Sequence, residues 1–156
     1  MSSTMVDLRH ILATLAYRGG KAMRGAPASF ADFRVSDSAR TPLQIVAHIG
    51  DLVEWACVLA RGEKTWNDAT PQSWDREVQR FFDALQRFDQ QLASQPLQCK
   101  PERLFQGPIA DAFTHVGQIA ILRRIAGVPL KGENFYVADI AAGRVGSDQS
   151  PPKREF

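Results

Sequence analysis

Residues 41–62 read TPLQIVAHIGDLVEWACVLARG. The first four are a helix start. Thr41 is a residue type that caps a helix N-terminus by accepting a backbone N–H. Pro42 has the φ of a first helical residue and no N–H to leave unpaired, and Gln44 completes a Thr-x-x-Gln capping box. Leu43, Ile45, Val46, Ile49, Leu52, Val53, Ala56 and Leu59 then recur at helical spacing. Gly62 supplies the residue that closes a helix in the left-handed conformation. A helix this apolar needs other helices to cover it.

Three flanking segments meet that need. Residues 4–25 place Val6, Leu8, Ile11, Leu12, Leu15 and Ala22 at helical spacing, and the pair Gly19–Gly20 marks a bend or a close packing point. Residues 73–94 form one face from Val78, Phe81, Phe82, Leu85, Phe88 and Leu92, with Gln, Arg and Asp on the other. A fourth helix begins at Gly107–Pro108 and stops at Gly127, with Pro129 beyond it. Arg123 and Arg124 in its last turns complement the helix dipole. Nothing alternates with a β-type period, no stretch repeats, and no Gly-rich phosphate loop is present. The expected fold class is therefore all-α, a four-helix bundle. Up-down-up-down order is the simplest arrangement, and the loop of about 15 residues after the first helix allows a crossing connection instead. A short helix is expected near residues 135–141, and residues from about 143 read as a loose tail.

Length and composition bound the function. A chain of 156 residues fits a single domain spanning 1–156 and can bury a core without disulfides or a structural metal. Lys and Arg number 19 against 17 Asp and Glu, so the net charge of +2 gives no reason to expect a nucleic-acid or membrane partner. Cys57 and Cys99 are far apart, which excludes a disulfide scaffold, a zinc ribbon and a Cys-x-x-Cys redox motif. The N-terminal MSSTMVDLRHIL carries charges inside its first apolar run, unlike a signal peptide. No apolar run reaches the roughly 20 residues of a spanning helix. A cytoplasmic protein is expected.

Three histidines are the scarce chemical resource. His10, beside Leu8 and Ile11, reads as a surface or boundary residue. His48 falls on the stripe Ile45, His48, Leu52, Trp55 and Leu59, where an imidazole needs either a hydrogen-bond partner or a metal. Asp111 and His115 are an i, i+4 pair on the fourth helix, with Gln118 and Leu122 on the same face. Both side chains of such a pair can reach one ion. Two bland readings stand beside this. His48 can be a core histidine satisfied by a neighbouring helix, and Asp111 can be a first-turn carboxylate that accepts a hydrogen bond from His115. The combination favours the metal. Two His and one carboxylate brought together in a bundle core leave positions open for water or substrate, as in a catalytic zinc site or an iron(II) facial triad. The ligand types do not choose among zinc, iron, nickel and manganese. Asp51 is read as a group orienting an imidazole or as a solvated charge, Glu54 as exposed, and Cys57 as inert. Trp55, Trp66 and Trp74 are read as packing residues.

TPLQIVAHIGDLVEWA, followed by HVGQIAILRRIAGVP, resembles the DinB-like superfamily, which includes the YfiT-type proteins. The likeness runs through His48 with Trp55 after it, through His115-x-Gly117-Gln118 with LRR beyond, and into NFYVADIAAGRVG of the tail. It implies a four-helix bundle, a homodimer, and a divalent metal held by a second-helix histidine and an H-x-x-x-H pair in the fourth helix. Those positions are His48, Asp111 and His115 here, with Asp111 standing where the pattern has histidine. Zinc or nickel is the metal the resemblance implies first, with iron or manganese after them. It also implies a metal-dependent hydrolase or thiol transferase acting on a small molecule. The alternative is a metal-free bundle that binds a small molecule or a protein without catalysis.

Overall fold

The computed structural model describes residues 3–156, with side chains from Leu8 onward, so the expected core position Val6 lies outside the described side chains. Four long helices carry the fold: α1 (Ser3–Met23), α2 (Pro42–Ala60), α3 (Trp74–Ser94) and α4 (Ala110–Ile125). No strand occurs among the described residues, and the one isolated bridge joins Glu133 to Glu155.

The caps read from the sequence are present. The Gln44 N–H donates to Thr41 Oγ1 at 3.2 Å and the Thr41 N–H donates to Gln44 Oε1 at 2.9 Å. The Ser73 hydroxyl accepts the Arg76 N–H at the start of α3. Gly25, Gly62 and Gly127 turn the chain out of α1, α2 and α4 with φ near +72°, +81° and +81°.

The start of α4 differs from expectation. The chain is already helical at Pro101–Leu104, then widens into a π turn over Phe105–Ile109 before α4 proper. Gly107 sits in that turn at φ −93° and ψ −105°. A residue preceding proline is pushed out of the α region by the ring, so Pro108 interrupts a helix here rather than opening one.

α1 and α2 do not adjoin, although they are consecutive in sequence. Each packs against both α3 and α4. Of the two connections left open above, the chain therefore uses the crossing one after α1. That loop is anchored by a 3₁₀ turn, Ala28–Asp32, whose Phe30 is buried and stands edge-on to Trp74 at 5.8 Å.

Phe81, Phe88, Leu12, Leu15, Ile49, Leu85 and Ile119 fill the core. Gly19 is a packing point, not a bend: a Cβ there would lie 2.7 Å from Phe81 Cζ. α2 is long and apolar enough, by length and composition alone, to cross a membrane, which corrects the sequence reading; its packing on α3 and α4 buries 56% of that stretch inside the bundle.

Charged groups also enter the interior, a feature the apolar patterning did not announce. Arg9 holds Asp89 through two bonds of 2.9 and 3.0 Å between α1 and α3. Arg80 of α3 donates to Glu77 at 2.7 Å, to Asp51 at 2.9 Å and to the Ala47 carbonyl at 2.7 Å. Arg123 is buried and donates to the carbonyls of Ala22, Arg24 and Val128. It thereby closes the end of α1 and the turn after α4, a more specific task than complementing a dipole.

The C-terminal region forms a 3₁₀ turn at Phe135–Val137 in place of the expected short helix. The stretch read as loose has fixed attachments: Val145 is buried, the Asn134 N–H donates to the Arg154 carbonyl at 2.9 Å, and the Phe156 N–H donates to that of Gly132 at 2.9 Å. Tyr17 and Lys21 of α1 hold the buried Glu133 carboxylate. Periodicity cannot reveal such attachments, because they join isolated residues rather than a face.

Candidate metal centre

The wide turn at Phe105–Ile109 ends two residues before Asp111, which stands in the first turn of α4. One turn later His115 projects from the same face, and α2 brings His48 against both. His115 Nε2 lies 3.3 Å from Asp111 Oδ1, and His48 Nε2 lies 3.9 Å from Asp111 Oδ2. The two imidazoles meet edge to face with centroids 4.8 Å apart. One ligand atom from each of the three residues falls within 4.8 Å of the other two, so this group could hold a metal ion.

The donor set fits a divalent ion on three counts. Bond lengths of about 2.0–2.2 Å to N and O put adjacent tetrahedral ligands about 3.4 Å apart. The His115–Asp111 pair already has that spacing, the His48–Asp111 contact is 3.9 Å, and all three ligand atoms lie within 4.8 Å of one another, so side-chain shifts on the order of 1 Å close the set. Second, His115 Nδ1 donates to Gln118 Oε1 at 2.7 Å, which leaves the Nε2 lone pair facing Asp111 and His48. Third, burial holds the His48 pKa below the ordinary imidazole value, with nearby Arg40 and His115 adding to the effect against Asp111 and Asp68. The neutral imidazole is the form that binds metals.

The site is wet on one side. His115 is nearly buried, whereas the Asp111 side chain is 48% exposed. Trp66, from the loop after α2, stands edge-on to the His48 ring at 6.0 Å and to Trp55 at 5.5 Å. A cleft of about 280 Å³ lined by Arg40, Gln44, His48, Asp51 and Asp68 opens beside His48. This arrangement can hold an ion with solvent-facing positions left free, next to room for a small molecule.

The structure thus brings together the three residues singled out in the sequence. It separates others from them. His10 is exposed on α1. Asp51 neither orients an imidazole nor meets bulk solvent: it is buried against Arg80 and accepts the Ala69 N–H. Glu54 is partly buried and bridges Arg80 and Arg87. Cys57 Sγ donates to Gln91 Oε1, and burial pushes its pKa up, away from a reactive thiolate. Gln118 was placed on the face of the pair and Trp66 among the packing residues, but their contacts with His115 and His48 went unread. The i, i+3 spacing from His115 was the available signal for the hydrogen bond of Gln118. Trp66 had no signal, since a loop residue shows its neighbours only after the helices are placed.

The chain matches no protein-family model, no curated protein and no solved structure, so the reading of the site rests on its own geometry.

Proposed function

We propose that this protein is a divalent-metal-dependent enzyme of the DinB-like kind, a hydrolase or thiol transferase acting on a small molecule. The observation that carries the reading is the convergence of His48, Asp111 and His115 from two helices to within 4.8 Å. A bound divalent ion would lower the pKa of a coordinated water or thiol and so supply a nucleophile near neutral pH. The chain's own residues set the stage for that chemistry. His48 and His115 present ring nitrogens, Asp111 brings the carboxylate, and Gln118 orients the ring of His115. Trp66, backed by Trp55, shields one side of His48, and the cleft beside it receives the substrate. Asp111 in place of a second imidazole makes the set harder, which broadens the choice of metal from zinc and nickel toward manganese and iron(II). The test is a panel of small esters, amides and thiol-acceptor substrates, assayed before and after chelation. Activity abolished by chelation and restored by one metal supports the proposal, and equal activity without metal overturns it.

A second reading has an observation of its own. Asp111 lies within 4 Å of both imidazoles, so the three groups can pair electrostatically in a bundle that binds a ligand without catalysis. In that case His48→Ala lowers thermal stability by the same amount with and without added metal.

A further inference from the structure

α4 has a second occupied face. Asp111 and His115 lie toward α2, Ala112 and Ile119 are buried, and Phe113, Gly117, Ala120, Ile121 and Arg124 lie on the side toward α1. Between that side, α1 and the segment 130–135 runs a groove of about 410 Å³, larger than the cleft at His48. It shares no lining residue with the metal centre.

The groove has an apolar floor and a cationic rim. Val116, Ala120 and Leu130 contribute to the floor, and Gly117 leaves it open, since a Cβ there would meet nothing within 4 Å. Arg18, Lys21, Arg124 and Lys131 stand around it. Lys21 is taken up by Glu133 and Glu155. Glu133 is itself buried and already holds Tyr17 and Lys21, so it does not offset the rest of the rim. Arg18 stacks on the Phe135 ring at 3.9 Å, and neither it, Arg124 nor Lys131 has a carboxylate partner among the described residues. Ile121 adds a half-exposed aliphatic wall.

We infer that this groove binds a small amphipathic anion: an apolar chain or ring on the Gly117 floor, with one carboxylate or phosphate head between Arg124, Lys131 and Arg18. The volume lies at the lower end of the range of about 300–1,000 Å³ for small-molecule sites. Charge complementarity selects the head group, because three uncompensated cations at a part-apolar surface favour an anion. The same charges weigh against a second copy of the chain. A twofold contact through this face would set one cationic rim against another.

The test is calorimetric titration of the full chain with octanoate, octyl phosphate and octanol. Saturable binding of octanoate or octyl phosphate is expected, with octanol weaker by about tenfold or more. Whichever anion binds tighter assigns the head group. Gly117→Leu puts its side chain into space that is open at the Cβ and should abolish binding without lowering the melting temperature. Arg124→Ala with Lys131→Ala should weaken binding by about tenfold or more and bring the anions to the level of octanol. No saturable binding of either anion overturns the inference. So does binding that survives both variants, or a parent dimer that Gly117→Leu converts to monomer.

Discussion

At the residue scale the account turns on the side chains around one point. His48, Asp111 and His115 were legible because their chemistry is local: ligand types are read from the letters, and the i, i+4 spacing places two of them on one face. Their meeting with His48 was an inference from the bundle. Asp51 was misread for the opposite reason. Its partner Arg80 is on another helix, and nothing within α2 announces that a guanidinium will lie over Gly50, where a Cβ would come within 3.0 Å of it. Gln118 carries a prediction at this scale. If its carbonyl fixes the tautomer of His115, Gln118→Leu should weaken zinc affinity by about 10–100-fold with little loss of stability, the usual cost of removing a metal ligand's hydrogen-bond partner. Competition with a chromogenic chelator measures this directly, and an unchanged affinity would leave Gln118 without a role.

At the element scale, caps and glycines are where sequence and structure agree most closely, because a cap is decided within four residues. The start of α4 is the exception. The pair Gly107–Pro108 reads as a helix start by composition but interrupts a helix already begun at Pro101, and only the preceding turn reveals it. Two glycines separate packing from propensity. At Gly19 an added methyl meets the fully buried Phe81 ring at 2.7 Å, so Gly19→Ala should destabilise by about 1–3 kcal/mol despite its better helix propensity. At Gly117 the space is open and the backbone helical, so Gly117→Ala should stabilise by about 0.5–1 kcal/mol. Urea unfolding of the two variants beside the parent gives both numbers, and shifts of the same sign would contradict the packing argument.

At the scale of the whole molecule, the helical class was readable from periodicity, whereas the order of packing was not. Placing α1 and α2 apart depends on the connection after α1, whose anchor is the single buried ring of Phe30. The charged interior was equally hidden. Arg80 ties α2 to α3 through Asp51, Glu54 and Glu77, and Glu77 Oε2 is the buried side-chain oxygen left without a partner among the described residues. Arg80→Met strands these carboxylates and should cost about 3–5 kcal/mol near neutral pH. Burial raises the Asp51 carboxyl above its ordinary value, against the opposing pull of Arg80. A carboxyl raised in the folded state favours folding while it is protonated, and that contribution is lost as pH climbs through the folded value. Losing Arg80 raises the group further. The deficit of Arg80→Met should therefore shrink as pH falls toward about 4, where carboxyl groups take up protons. Chemical unfolding at several pH values checks this, and a deficit that does not change with pH would rule it out. The same three-dimensional convergence that sequence could not display also brings the three candidate metal ligands together. Elemental analysis of the purified protein, beside Asp111→Ala and His115→Ala, tests it most directly. The account predicts near-stoichiometric divalent metal in the parent and its loss in both variants. A parent that takes up no zinc, nickel, manganese or iron(II) under saturating conditions, or variants that keep the metal, would contradict it.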